Sequence, residues 1–338
     1  MRDGAAAQSP LPYRCPAWLP GGHAQTIYPY FLKRPQTRYR RERVAAGDGD
    51  FWAFDWLDAP HAADAPLVVL FHGLEGGAGS HYALLLMRHL SERGWRGVVP
   101  HWRGCGGEPH RLPRAYHSGD FEEVGAMLSA LRARVPPGTT IFACGVSLGG
   151  SALLNWLGRQ GAAARDIVRA AATVSAPLDL MAAGIAIGQG LNRIYTWHFL
   201  QTLRPKALAM AKAFPGLLDA ARIRRVRSMW DFDDSVTAPL HGFAGADDYW
   251  TRASSKPWLA RIEVPTLVVN ARNDPFVPDS SLPGSDAVGA HVVLEQPPHG
   301  GHVGFMTGPA PGRIDWLPQR MLHFFADAAA MHGLARQS

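Results

Sequence analysis

The feature that most constrains the fold of this 338-residue chain is an apolar run that ends in a serine between glycines. Residues 140–144 read Thr-Ile-Phe-Ala-Cys, and Gly145-Val146-Ser147-Leu148-Gly149 follows directly, before a helix-forming stretch at 151–159. Such a segment is typical of a sharp strand-to-helix turn that raises a serine Oγ above a sheet. The flanking glycines leave room for the strained backbone of that serine. The pattern therefore predicts Ser147 as a nucleophile.

A nucleophilic serine needs a base and an acid, and in this architecture the acid comes next along the chain. Residues 266–270 form a buried-strand run, and Asp274 lies in the loop that follows it. The rival carboxylates Asp247, Asp248 and Asp286 do not directly follow an apolar strand run. We therefore predict Asp274 as the acid.

Two histidines compete for the role of the base. The next strand run, residues 292–296, precedes the loop Pro297-Pro298-His299-Gly300-Gly301-His302. We favour His302, because the glycine pair before it permits a reversal of the backbone, whereas His299 lies next to the rigid proline pair. A loop histidine is otherwise most often an ordinary surface residue. From the residues alone, His299 stays open as the alternative.

Two backbone N–H groups are predicted to form an oxyanion hole. The first is that of Leu148, at the N-terminus of the helix after the nucleophile. The second should come from the loop after an earlier strand. Residues 67–71 are such a strand, and His72-Gly73-Leu74-Glu75-Gly76-Gly77 follows, which places the Leu74 N–H in a glycine-rich turn. The alternative for this segment is an ordinary glycine-rich turn between a strand and a helix.

The order of the predicted elements indicates an α/β fold. Two strands, 39–44 and 51–57, surround a Gly47-Asp48-Gly49-Asp50 turn and give the sheet an antiparallel start. Strands and helices then alternate, which predicts a mostly parallel central sheet with helices on both faces. The further predicted strands are 67–71, 97–101, 140–144, 170–174, 266–270 and 292–296, and the predicted helices are 82–93, 121–134, 151–159 and 316–331.

A long insertion separates the predicted strands 170–174 and 266–270. It has about ninety residues, far more than an ordinary crossover, and predicts a helical cap. We therefore expect an irregular, proline-rich N-terminal segment at 1–37, a core formed by 38–177 and 257–338, and a cap insertion at 178–256. Apolar residues of the cap either line an acyl pocket or pack the cap against the sheet. They are Met181, Ile185, Ile187, Leu191, Ile194, Tyr195, Trp197, Phe199 and Leu200.

Composition argues against several other classes of protein. The formal net charge of +6 is spread thinly and lies in no recognisable binding motif, so we expect no nucleic-acid partner. No uninterrupted apolar run is long enough for a transmembrane segment. The N-terminus lacks the apolar core of an export signal. Together with three cysteines that are unpaired by spacing, Cys15, Cys105 and Cys144, this predicts a reduced, cytoplasmic protein.

The histidines do not indicate a metal site. His299 and His302 flank a glycine pair that suits a flexible loop, no cysteine pair accompanies them, and no helical His-Glu-x-x-His occurs. The loop at 72–77 also lacks the Gly-x-x-x-x-Gly-Lys-Ser/Thr pattern of a phosphate cradle. We predict neither a metal nor another cofactor.

Seven motifs are spread over nearly the whole chain, at residues 18–26, 72–76, 103–108, 115–120, 145–150, 273–276 and 299–305. Together they resemble those of the YheT-like branch of the α/β-hydrolases. The resemblance implies an α/β-hydrolase fold and a serine esterase, with relatives that act on short-chain carboxylic esters or acylglycerols. It also implies a triad of Ser147, Asp274 and His302, in which the second histidine of His-Gly-Gly-His is the base.

The chain departs from this branch at one point. Asp248-Tyr249-Trp250 stands where the branch usually has a second tyrosine before a small hydroxyl pair, here Ser254 and Ser255. This segment belongs to the stretch that is expected to cover the active site. The departure bears on the substrate and leaves the reaction type unaffected.

The expected function is hydrolysis of a small-molecule carboxylic ester, of the short-chain acyl or monoacylglycerol type, through an acyl-enzyme on Ser147. Acyl transfer to another acceptor, or hydrolysis of a thioester or amide, would use the same acyl-enzyme and is an alternative. A hydrolase scaffold that binds a ligand without turnover is an alternative of a different class.

Overall fold

Eight strands form one sheet in the computed structural model, which describes residues 11–335. β1 runs antiparallel to β2, β2 runs antiparallel to β4, and β3 to β8 are mutually parallel, in the order β1-β2-β4-β3-β5-β6-β7-β8, which confirms the predicted sheet. The strands are β1 (Tyr39–Ala45), β2 (Phe51–Leu57), β3 (Leu67–Phe71), β4 (Arg96–Pro100), β5 (Ile141–Val146), β6 (Ala170–Val174), β7 (Thr266–Val269) and β8 (Val292–Glu295).

Helices cover both faces of the sheet, and the central strands β3, β5 and β6 are therefore buried at every position. In β3, Leu67 and Val69 point into one core layer, while Val68 and Leu70 point into the other. The helices outside the insertion between β6 and β7 are α1 (Gly22–Ile27), α2 (His81–Glu92), α3 (Phe121–Arg132), α4 (Leu148–Gln160) and α11 (Trp316–Ala335). The first layer packs against α3 and α4, and the second packs against α2 and α11.

The chain between β6 and β7 forms six further helices and a small hydrophobic cluster of its own. The longest helix, α6, contributes Leu200 and Leu203 to this cluster, where they meet Ile223 of α7. None of the helices described between residues 11 and 335 has the length and apolarity to cross a bilayer. The six helices are α5 (Leu180–Ile187), α6 (Arg193–Ala213), α7 (Ala220–Arg225), α8 (Met229–Phe232), α9 (Ala238–His241) and α10 (Ala246–Ala253).

The ends of the observed strands and helices lie within four residues of the predicted ones, and two differences stand out. α4 begins at Leu148, directly after the predicted nucleophile, and includes the glycines that the prediction left in the turn. The N-terminal segment, expected to be irregular, contains α1 and a 3₁₀ turn at Tyr28–Phe31. α1 has only six residues, too few to establish a helical hydrophobic period. Residues 1–10 and 336–338 lie outside the described residues.

One buried carboxyl makes the stability of the folded protein depend on pH. Asp233 lies in a π-helical turn between α8 and α9, where it accepts hydrogen bonds from Thr237 Oγ1 at 2.6 Å and Trp250 Nε1 at 2.8 Å. Burial raises the pKa of this carboxyl from 3.8 to about 6. Between pH 4 and 6 the folded chain therefore holds a proton that the unfolded chain has released, so stability falls as pH rises through this window.

We expect Asp233→Asn to stabilise the protein above pH 6 relative to wild type. An asparagine can accept from Trp250 and donate to Thr237 without burying a charge. The gain in unfolding free energy should be about 1–3 kcal/mol at pH 8 and should shrink toward pH 4. Urea unfolding at both pH values measures it, with the exposed Asp286→Asn as the control. An effect of equal size at both pH values would contradict this account.

Candidate active site

Ser147 lies in the tight turn between β5 and α4. Its backbone has φ 53° and ψ −121°, an unfavourable combination for a residue with a side chain. A Cβ at Gly145 would lie 2.5 Å from the Gly149 oxygen, and a Cβ at Gly149 would lie 2.4 Å from the Phe71 oxygen. Neither distance is sterically possible, so both positions require glycine. This crowding fixes the Oγ of Ser147 at the carboxyl edge of the sheet.

The structure brings Ser147, His302 and Asp274 into one hydrogen-bonded chain. His302 Nε2 lies 3.0 Å from Ser147 Oγ, and His302 Nδ1 lies 2.8 Å from Asp274 Oδ2. The side chain of Asp274 is fully buried, and its other oxygen accepts a hydrogen bond of 2.8 Å from the Phe276 N–H. With both oxygens occupied, the carboxylate has one orientation toward the imidazole. The arrangement can take a proton from Ser147 and stabilise the resulting imidazolium.

The competing candidates lie elsewhere. His299 is exposed, and its Nδ1 is 3.5 Å from Asn273 Nδ2 rather than beside the serine. Asp247 accepts from Trp230 Nε1, and Asp248 pairs with Arg252. Asp286 is exposed in a 3₁₀ turn.

The loop that carries His302 has an unusual backbone. Gly301, Val303 and Phe305 all have positive φ, at 61°, 62° and 41°. A Cβ at Gly301 would lie 2.8 Å from the Thr26 nitrogen, so α1 packs directly against this loop. The Val303 N–H donates to Ser175 Oγ at 3.0 Å, which ties the loop to the end of β6.

Gln25 of α1 joins the acid loop to the base loop, a function that sequence reasoning missed. Its side chain is fully buried, and its Oε1 accepts from the Gly300 N–H at 2.8 Å and from Asn273 Nδ2 at 3.0 Å. The neighbouring Thr26 Oγ1 accepts from the His302 N–H at 2.8 Å. The only signal in the sequence was the motif at 18–26, which carried part of the family resemblance but no derived role.

The Gly73–Leu74 peptide lies against Ser147 in a fixed orientation. A Cβ at Gly73 would lie 3.2 Å from the Ser147 Cβ, which shows how closely this turn approaches the serine. The Gly73 carbonyl accepts from His72 Nδ1 at 2.8 Å and from the Gly76 N–H at 3.0 Å. Because a trans peptide is planar, the Leu74 N–H points the opposite way.

Burial keeps the His72 imidazole neutral while it donates to the Gly73 carbonyl. The imidazole is fully buried, which lowers its pKa from 6.5 to about 3. Its Nε2 accepts from the Trp102 N–H at 3.3 Å, so the proton of the neutral ring is on Nδ1, where it faces the Gly73 carbonyl. The Leu148 N–H belongs to the first residue of α4, where N–H groups have no acceptor within the helix.

A cleft of about 780 Å³ leads to Ser147 and His302 from the surface. A smaller cavity of about 110 Å³ extends past Ser147 between Leu74 and Leu148 toward the cap. A third, of about 490 Å³, continues from the same two leucines beneath α6 and α8. Ser147 therefore lines two spaces, the cleft and the smaller cavity, and Leu74 and Leu148 line both the smaller cavity and the third one.

The apolar cap residues divide between the two roles considered from the sequence. Ile194, Tyr195, Trp197, Phe199 and Ile187 line the cleft or the smaller cavity. Leu200 and Met181 pack within the cap, and Ile185 and Leu191 are exposed. The departure noted at 248–250 also lies here, because Tyr249 and Trp250 line the smaller cavity.

An ion pair connects the cap to the turn next to Ser147. Lys206 Nζ of α6 lies 2.8 Å from the Glu75 carboxylate, which also accepts from the Tyr116 hydroxyl at 2.9 Å. The Glu75 N–H in turn donates to the Tyr116 oxygen at 2.8 Å.

The described residues contain no group of three or more His, Cys, Asp or Glu side chains placed to hold a metal ion.

Comparisons with known proteins show which chains this one is similar to. Residues 66–309 match the model of the alpha/beta hydrolase fold family. The protein YheT of Escherichia coli (strain K12), named as a candidate esterase, is 38% identical over 88% of each chain. Phospholipase ABHD3 of Mus musculus is 32% identical over 94% of this chain and 78% of its own. The solved structure of Est1E from Butyrivibrio proteoclasticus, bound to ferulic acid, superposes with a TM-score of 0.54 at 17% identity, over 86% of this chain and 99% of that one.

We expect Gln25→Ala to loosen the acid and base loops together. The change leaves the Gly300 N–H and Asn273 Nδ2 without their common acceptor, which should reduce the unfolding free energy by about 1–3 kcal/mol. Amide exchange should also accelerate at residues 300–302. Gln201→Ala, on the exposed side of α6, is the matched control. Unchanged exchange in the loop of the Gln25 variant would contradict the anchoring role.

Proposed function

This chain belongs to the α/β-hydrolase family, in its YheT-like branch of esterase and lipase type, and we propose that it hydrolyses carboxylic esters through an acyl-enzyme on Ser147. The observation that carries the proposal is the relay of 3.0 Å from Ser147 Oγ to His302 Nε2 and 2.8 Å from His302 Nδ1 to Asp274. No cofactor enters the proposed reaction.

Each member of the relay has one role in the proposed mechanism. His302 takes the Ser147 proton as Oγ attacks the acyl carbon, and the imidazolium then protonates the leaving alcohol. Asp274 orients the ring and stabilises its positive charge. In the second half, His302 takes a proton from water, which attacks the acyl-enzyme and releases the acid, while Ser147 regains its proton.

The Leu74 and Leu148 N–H groups are the proposed donors to the oxyanion. Two observations support them: the cavity beside Ser147 is lined by both residues, and the hydrogen bonds on the Gly73 carbonyl hold the Leu74 peptide in one orientation. Donors that are oriented before the reaction need no reorganisation as the charge develops. Each is typically worth about 3 kcal/mol of transition-state stabilisation.

The proposed substrate is a short-chain acyl ester or a monoacylglycerol, and the proposed covering element is the cap at 178–256. Support comes from the shape of the site. Ser147 lines both the cleft and the smaller cavity, and the smaller cavity shares Leu74 and Leu148 with the one beneath α6 and α8, so the cleft can hold one part of the ester while these cavities hold the other. We assign residues 38–177 and 257–338 to the core that carries the triad.

Ser147→Ala should abolish both turnover and covalent labelling. Without Oγ no acyl-enzyme forms, so we expect kcat on p-nitrophenyl butyrate to fall by about 10⁴-fold or more. A fluorophosphonate probe should label wild type and leave the variant unlabelled. Ser151→Ala, four residues further along α4, is the matched control and should still be labelled. Equal labelling of wild type and the Ser147 variant would reject the nucleophile.

The histidine pair gives an independent test of the base. His302→Ala should lower kcat to a similar extent as loss of the nucleophile, because the two residues act as one unit. His299→Ala should leave kcat and KM near wild type, since its ring is exposed and beside Asn273. Rates on p-nitrophenyl esters measure both. The reverse pattern, with activity lost only in the His299 variant, would show that the wrong base was chosen.

A further inference from the structure

Exposed apolar side chains concentrate in two segments beside the cleft. Ten large hydrophobic residues are exposed among the described ones, and seven of them lie in these segments. The first segment contributes Ile27, Tyr30 and Phe31, with Phe31 79% exposed. The second contributes Ile185, Leu191, Ile194 and Trp197, with Leu191 78% and Trp197 62% exposed. We call these seven residues the rim.

The two segments form one surface at the cleft mouth. His23 of α1 lies 3.1 Å from the Tyr195 hydroxyl of α6, and the two rings stack with centroids 5.9 Å apart. Ile27 and Tyr30 line the same cleft as Ile194 and Trp197. Four of the seven rim residues therefore border one opening, and exposed apolar residues grouped in this way mark a binding surface, whereas scattered ones would not.

The charge beside the rim has one sign. Residues 11–41 and 180–206, the segments that carry the rim, contain nine Lys and Arg residues and no Asp or Glu. Lys33, Arg34 and Arg193 are exposed, and none of them forms an ion pair with a described residue. The carboxylates that line the cleft, Asp55 and Glu75, already pair with Arg41 and Lys206. The surroundings of the rim therefore favour a negatively charged partner.

We propose that the rim docks on an anionic lipid bilayer, with the cleft opening onto the membrane surface. Apolar side chains flanked by lysine and arginine match the boundary between lipid headgroups and acyl chains. A second copy of the chain is a poorer occupant, because a symmetric contact between two rims would bring like charges together. The proposal goes beyond ester hydrolysis and can fail independently of it.

Vesicle flotation with the full chain tests the docking. Wild type and Ser147→Ala should both float with vesicles of phosphatidylcholine and phosphatidylglycerol, bind vesicles of phosphatidylcholine alone more weakly, and dissociate as salt is raised. Phe31→Ser with Leu191→Ser should weaken binding by at least about tenfold. Lys33→Gln with Arg193→Gln should weaken binding to anionic vesicles by about fivefold per cation.

A matched pair of substitutions separates the rim from general surface hydrophobicity. Leu217→Ser with Val293→Ser removes two exposed apolar residues away from the cleft and should leave binding unchanged. The Phe31 and Leu191 pair should also keep wild-type kcat/KM on soluble p-nitrophenyl acetate, because neither residue lines the cleft. No vesicle binding, or equal loss in the Leu217 and Val293 pair, overturns the proposal. So does a dimer without lipid affinity that Phe31→Ser and Leu191→Ser dissociate, since a second copy would then cover the rim.

Discussion

The close approach of backbones around Ser147 is the constraint on which the other parts of the site depend. The end of β3 presses against the first turn of α4 so tightly that Gly149 cannot carry a side chain. That contact brings the turn after β3 beside the serine, and with it the Leu74 peptide. The positive φ of Ser147 costs on the order of 1–3 kcal/mol. It is held by a hydrogen bond of 2.8 Å from the Ser147 N–H to the Val174 oxygen and by the buried packing of α4.

The sheet and the positions of Ser147 and Asp274 were predictable because each depends on a local pattern. Apolar runs define the strands, and in a parallel sheet residues that follow such runs reach the same edge. The preference for His302 over His299 rested on weaker evidence, the glycine pair that precedes His302. The loop does use a positive φ at Gly301, as the glycine pair suggested, but it also uses positive φ at Val303 and Phe305, which no residue type indicates. It is stabilised by Ser175, which is 128 residues away in the sequence.

Contacts between segments that are distant in the sequence could not be predicted either, because no local pattern encodes them. Gln25 meets the Gly300 N–H across 275 residues, and Glu75 meets Lys206 across 131. Neither pairing follows from hydrophobic period or turn chemistry, because both are set by how finished elements pack. The cap residues show the same limit. Their apolar character was evident, but whether Phe199 lines a cavity while Leu200 is buried in the cap depends on how α6 is rotated against its neighbours.

The N-terminal segment links the surface of the protein to its candidate catalytic centre. α1 fixes the base loop through Gln25 and Thr26, whose side chains are buried, and the chain passes directly from there to Ile27, Tyr30 and Phe31 on the rim. A Cβ on Gly22 would lie 1.9 Å from the Asn273 oxygen, so this helix has no freedom to slide along the acid loop. The N-terminal part of the rim, Ile27, Tyr30 and Phe31, is therefore continuous with the helix that positions His302. A bilayer bound at these residues lies at a fixed distance from Ser147. Transfer of an ester from the membrane surface into the cleft requires such a fixed arrangement.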